Sequence, residues 1–217
     1  MGKFDIETYL NSLLDDVDII DVSNKNLDYL PDLLRFKKLK ELHCDYNNLT
    51  SLPILPKKLK ELYCGFNKLS LLPVLPENLI VLGCSHNKLT SLPVLPKNLK
   101  RLFFHNNKLT SLPVLSEKLE LLYCDNNKLT SLPVLPEKLK YSCFFGNPIC
   151  DIIYDYDLNI IKKNIIIWNN FRYLYYCLKY RKRFLRMMEP IIKKRYHPSH
   201  LYDLKEDDDL DEKLGAL

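Results

Sequence analysis

The chain has 217 residues, 47% of them hydrophobic and 27% charged, with a formal net charge of +5. That composition suits a folded chain with a core of its own and excludes disorder throughout. The charge is uneven: residues 1–16 sum to −3, 17–150 to +6 and 151–217 to +2, the last combining a strongly basic stretch with a strongly acidic one.

The opening, MGKFDIETYL, has no apolar run of a secretory leader, and Ile6 stands where an N-myristoylation motif wants Ser or Thr. The expectation is an intracellular, cytoplasmic protein. Residues 1–16 are predicted to form an N-terminal capping helix. Asp5 is suited to the N-cap, Phe4 and Tyr9 to a hydrophobic staple across it, and Ile6, Leu10, Leu13 and Leu14 form an apolar stripe. Such a stripe would cover the open edge of the strand that follows. Residues 17–38 read as a divergent 22-residue first repeat, with Ile20, Val22, Leu27 and Leu30 at core positions and Lys25 where later units carry Asn.

Residues 39–138 are five successive 20-residue units of the form L-x-x-L-x-C-x-x-N-x-L-x-x-L-P-x-L-P-x-x, beginning at Leu39, Leu59, Leu79, Leu99 and Leu119. In each, the Leu39, Leu42, Cys44 spacing alternates as a short strand does, and Leu49, Leu52 and Leu55 follow at the wider spacing of an irregular return path. One unit cannot bury that much leucine alone; stacked units can. The recurring Asn47, Asn67, Asn87, Asn107 and Asn127 fall where the strand turns away, and an amide there offers donors and an acceptor to the neighbouring turn. Pro53 and Pro56, repeated in each unit, fix φ and remove donors, so the return path is extended or polyproline-like. Cys44, Cys64, Cys84 and Cys124 share one repeat position. Side chains stacked in that way point alike and neither pair as disulfides nor converge on zinc, so they read as free, buried thiols with no metal. A sixth unit opens at Leu139 and decays through Ser142 and Phe144 to Cys150.

The pattern resembles the leucine-rich repeat family, in the short L-P-x-L-P form of bacterial effector proteins and of proteins of large DNA viruses. The match covers residues 17–150. It implies an α/β-type repeat solenoid with a short-stranded parallel sheet on the concave face, an extended convex face and helical caps. It also implies a protein partner on the concave face, and the host cytoplasm if the chain is viral.

Comparing the units with one another separates scaffold from surface. The site after the second leucine holds His43, Tyr63, Gly83, Phe103 and Tyr123, and nearby sites hold Tyr46, Phe66, His86 and His105. Large amphipathic rings on a rigid sheet are anchors of the kind that dominate interfaces. The alternative is that they only shield backbone and stack along the ladder. A column of Lys68, Lys88, Lys108 and Lys128 follows the asparagines and reads as a solvated rim.

After Cys150 the period changes. Ile167, Phe171, Leu174, Leu178, Leu185, Met188 and Ile192 predict a basic helical region over 151–202 with a bend near Pro190. Over 162–195 there are eleven Lys or Arg against one acid, and over 203–213 seven acids against two Lys; residues 203–217 read as a disordered acidic tail. The helix either caps the solenoid, pairs with that tail, or meets nucleic acid or an anionic membrane surface through Arg172, Lys179, Arg181, Lys182, Arg183 and Arg186. Glycine-rich phosphate loops, H-E-x-x-H and G-x-S-x-G are all absent from the sequence, and His197 with His200 has no partner cluster. Effectors with similar repeats carry a cysteine-dependent ubiquitin-ligase domain, but Cys177 lacks an acidic residue two places on, so that activity is not expected. The reading is a non-enzymatic, cofactor-free interaction module, and caps at both ends predict a monomer.

Overall fold

A computed structural model describes residues 4–153, 155 and 157–179, with side chains as far as Asn170. The described residues up to Asn170 form one compact unit.

Helix α1 (Ile6–Ser12) opens the chain, followed by seven three-residue strands: β1 (Ile19–Asp21), β2 (Glu41–His43), β3 (Glu61–Tyr63), β4 (Val81–Gly83), β5 (Arg101–Phe103), β6 (Leu121–Tyr123) and β7 (Tyr141–Cys143). Helices α2 (Cys150–Ile153) and α3 (Leu158–Lys179) close it. The strands make one parallel sheet in sequence order, with equivalent residues paired directly, as Leu42 with Leu62 and Leu62 with Leu82. Three residues per strand suffice because the ladder continues past them: Cys44 N–H donates to Tyr63 C=O at 2.8 Å and Tyr46 N–H to Gly65 C=O at 3.1 Å.

The core is the repeat itself. Leu42, Leu62, Leu82, Leu102 and Leu122 are fully buried, as are the four repeat cysteines and Phe104, which takes the cysteine position in its unit. Each buried leucine is worth about 1.5–3 kcal/mol relative to exposure. The return path carries no helix in any unit; the prolines hold it extended, and the side chain between them turns outward.

The asparagines join unit to unit. Asn67 Oδ1 accepts from Leu49 N–H at 2.9 Å, and its Nδ2 donates to Cys44 C=O and Cys64 C=O at 3.0 and 3.2 Å. Asn87, Asn107 and Asn127 repeat this set, and Asn147 extends it to Leu129 and Cys124. Asn47 reaches back to the first repeat, accepting from Lys25 N–H and Leu27 N–H, so the lysine there needs no amide of its own.

The caps differ from expectation in register. Asp5 does cap α1, accepting from Glu7 and Thr8 N–H, and the Phe4 and Tyr9 rings lie 5.5 Å apart. The helix stops at Ser12, Leu13 is extended, and Leu14 is 74% exposed instead of completing the stripe. At the other end α3 packs through Leu158, Ile161, Ile165 and Trp168, while Ile167 is 46% exposed. The run Ile165-Ile166-Ile167-Trp168 is apolar all round, so its periodicity selects no face. Anchoring decides: Trp168 Nε1 donates to Thr130 C=O at 3.3 Å and Asn169 Nδ2 to Leu132 C=O at 2.8 Å. Leu185, Met188, Ile192, Pro190 and the acidic tail lie outside the described residues.

Two outcomes follow. Asn87→Ala strands a buried amide N–H and buried carbonyls, so urea denaturation should show a loss of about 3 kcal/mol. Burial pushes the repeat thiols up, Cys64 well above its ordinary value and Cys84 to about 12. These thiols stay protonated in the fold while their unfolded counterparts ionise. Stability should therefore hold below about pH 8.5 and fall as pH rises above it. Cys64→Ala with Cys84→Ala should flatten the decline in urea midpoint between pH 8 and 10.5.

Candidate functional site

Period-2 alternation sends the middle residue of each strand into the core and its flanking residues to the sheet surface. In-register pairing then gathers those surface residues into columns. The third strand position gives Asp21, His43, Tyr63, Gly83, Phe103, Tyr123 and Cys143, and the first gives Ile19, Glu41, Glu61, Val81, Arg101, Leu121 and Tyr141.

The rings predicted for this face come together in two sets. His43 stacks on Tyr63 at 4.8 Å and Phe103 on Tyr123 at 5.5 Å, with Gly83 between the pairs. Beside them Tyr46, Phe66 and His86 form a continuous stack at 4.3 and 4.0 Å, within 14° of parallel. His105 belongs to neither stack. It meets His86 edge-on at 5.1 Å and its Nδ1 shares a 2.9 Å hydrogen bond with Ser85 Oγ. Burial first, then the His105 charge, lowers the pKa of His86, so that ring favours its neutral form.

The second stack has an unusual backbone. Tyr46, Phe66 and His86 have φ of 55°, 50° and 53°, in the left-handed region, where Asn24, Asn106 and Asn126 also lie at the equivalent position. Asparagine and, among the rings, histidine tolerate that conformation; Tyr46 and Phe66 do not favour it. The recurrence of Asn there was the sequence signal for this turn.

Charged residues that sequence reasoning passed over share the face. Tyr63 Oη donates to Glu61 Oε2 at 2.9 Å; burial, followed by this bond, pushes the phenol up to about 12. Glu41 lies 3.6 Å from His43 Nε2. Asp45 Oδ1 accepts from Gly65 N–H at 2.7 Å, and burial raises its pKa. Carboxylates thus gather on β1 to β3, while Arg101 stands on β5.

The four rim lysines, Lys68, Lys88, Lys108 and Lys128, are exposed, and none pairs with a carboxylate among the described residues. On the opposite side, Ile54, Val74, Val94, Val114 and Val134, each between two prolines or their equivalents, form an exposed apolar column, with Val74 87% exposed. Sequence reasoning missed it because L-P-x-L-P hides its variable position among core leucines. Arg172 and Lys179 lie on α3 where only the backbone is described. Arg181, Lys182, Arg183, Arg186, His197 and His200 lie outside the described residues. No described helix is long and apolar enough to cross a membrane.

In-register parallel strands, an asparagine ladder and a proline-held return path define a leucine-rich repeat solenoid of the 20-residue L-P-x-L-P form. Solved structures of bacterial effectors share it. YopM from Yersinia enterocolitica is 38% identical over 63% of this chain and 30% of its own, with a TM-score of 0.60. A Shigella effector leucine-rich repeat domain is 39% identical over 65% of this chain and 62% of its own, at 0.58. YopM from Yersinia pestis, described as a leucine-rich effector protein, is 37% identical over 60% and 37%, at 0.56. This chain therefore spans less than two thirds of each. No protein-family model matches the sequence, and no curated protein matches it. The viral side of the resemblance rests on the repeat motif alone.

If the ring stack served the fold, removing a ring would be costly. Phe66→Asn trades lost stacking, about 1 kcal/mol, against relief of a left-handed aromatic, about 1 kcal/mol. Thermal and urea unfolding of this variant should stay within about 1 kcal/mol of the parent.

Proposed function

We propose that this protein is a non-enzymatic, cofactor-free interaction module that holds a protein partner on the sheet face of its solenoid. One observation carries the reading: Tyr46, Phe66 and His86 place rings in a left-handed backbone position that Asn fills elsewhere in the same chain. The scaffold does not ask for those rings, so surface recognition is the role they suit. With Tyr63, Phe103 and Tyr123 they offer amphipathic area on a support that loses little freedom on binding. The effector-like solenoids to which the chain is similar agree with an interaction role, and the free, buried thiols suit a reducing, intracellular setting. Capped ends suit a monomer.

Site-specific photocrosslinking tests this directly. A photoreactive residue at 63, 103 or 123 should crosslink one discrete partner in cell lysate, while the same residue at 74, 94 or 114 should not. Tyr63→Ala with Phe103→Ala and Tyr123→Ala should abolish capture with the circular dichroism spectrum retained. Equal crosslinking from both faces, or undiminished capture by the folded triple variant, defeats the reading.

A further inference from the structure

Each unit of the sheet passes the same backbone groups on to the unit after it. Cys124 N–H donates to Cys143 C=O at 3.0 Å, as Cys84 does to Phe103, and Glu120 C=O accepts from Lys140 N–H at 2.9 Å, as Lys40 does from Lys60. At β7 the series stops. Phe144 N–H and Lys140 C=O, the equivalent groups of the last unit, meet no backbone partner among the described residues. Tyr141 N–H and Cys143 C=O are turned toward β6, so alternation along the strand turns both backbone groups of Ser142 to the outer edge. Residues 140–144 thus present N–H and C=O groups at strand spacing on the side away from the sheet.

Space lies beside that edge. A cavity of about 260 Å³ is lined by residues 140–145 on one side and by Asp155, Leu158 and Ile161 on the other, with no residue of β6, so it separates β7 from the start of α3. It opens beside the exposed Lys140 and Tyr141. Ser142 lines it where Leu42, Leu62, Leu82, Leu102 and Leu122 are fully buried, and the smaller side chain leaves room that a leucine would take. Leu158 and Ile161 give the far wall an apolar surface. Asp155 is its acid: Oδ1 accepts from Asp157 N–H at 2.9 Å, and no Lys or Arg pairs with the carboxylate among the described residues. Lys140, the base on the opposite wall, is already held by Glu120 at 3.2 Å.

Donors and acceptors alternating at strand spacing ask for an extended backbone, because a helix keeps its own groups paired and a lone side chain cannot supply both in register. The room over Ser142, under Leu158 and Ile161, asks for an apolar side chain, and Asp155 for a cation. We propose that the groove between β7 and α3 takes an extended peptide segment of a partner protein, added to the seven-stranded sheet as an eighth strand, with an apolar side chain over Ser142 and a Lys or Arg at Asp155. Because α3 walls the groove, it admits a single strand and not the sheet edge of a second copy, which would bring its own α3. The site is separate from the ring-bearing face of the sheet, and neither depends on the other.

The test uses the full chain and a fluorescein-labelled peptide, Lys-Thr-Val-Ile-Thr-Lys, read by fluorescence anisotropy and by amide hydrogen exchange. A twin methylated on the backbone nitrogens of its four central residues keeps the side chains and loses the ladder donors, and should bind at least about 10-fold more weakly. The unmodified peptide should slow exchange at Ser142 and Phe144 about 10-fold and leave Leu82 unchanged. Ser142→Pro removes the outward N–H while sparing the bonds to β6, a place where a sheet edge accepts proline, and should weaken binding about 10-fold. Ser142→Leu, which refills the room with the repeat leucine, should do the same, and it decides should Ser142→Pro not fold. Asp155→Asn should weaken binding about 3-fold. Equal affinity for the methylated twin, indifference to Ser142→Leu, or no binding of the peptide at millimolar concentration overturns the proposal. Exchange at Ser142 that is already slow in the free chain at every concentration assigns the edge to residues 180–217 of the same chain and overturns it. Exchange that slows as the protein is concentrated, with a dimer in sedimentation equilibrium, assigns the edge to a second copy and overturns it too.

Discussion

The buried asparagine is the interaction on which this solenoid depends. Each repeat must turn its chain away from a three-residue strand, and that turn leaves a leucine N–H and a cysteine C=O facing the apolar interior. Backbone groups stranded there would cost about as much as the burial of one leucine contributes. One amide answers both, accepting from the N–H and donating to the C=O of the preceding unit, as Asn87 does for Leu69 and Cys64. The bond runs between units, so it also fixes their register. In-register strands, aligned cysteines and stacked surface rings follow from that spacing.

The same constraint explains which parts of the fold were legible in the sequence. A residue that must recur every 20 positions announces itself, and Asn47 to Asn127, the core leucines and the prolines were readable as one device. The helices at either end have no repeat to discipline them. Leu14 fits an i, i+8 stripe with Ile6, yet α1 stops two residues earlier, because Leu13 is extended and turns the chain toward β1. Ile167 lies in a run where every residue is apolar, and only Trp168 and Asn169 bonding to Thr130 and Leu132 fix the helix face.

Of the candidate site, residue types were readable and arrangement was not. Column membership follows from period 2, so His43, Tyr63, Phe103 and Tyr123 could be placed together. The second column needs the left-handed turn, which sets Tyr46, Phe66 and His86 in one stack and drops His105 out of it, because Asn106 takes that position. The carboxylates were overlooked for a different reason. Glu41 and Glu61 are ordinary surface residues in a linear reading, and only stacking sets them beside each other and beside Tyr63.

A solenoid of this kind lets the surface vary without disturbing the support. Core leucine, cysteine and asparagine in one unit contact their counterparts in the next, so substitution there is felt along the stack. A residue at the third strand position touches mainly its column neighbours, and its replacement changes one rung. Gly83 shows the consequence: losing a whole side chain leaves Leu82 and Cys84 fully buried and the pairing of β4 with β3 and β5 intact. Because the sheet is already ordered, a ligand seated on this face meets side chains whose positions are set before it arrives, and the entropic cost of association falls on the ligand's side. The surface of this face can then change one rung at a time, and Gly83, the rung that departs most from its neighbours, does so without moving the strands that carry it.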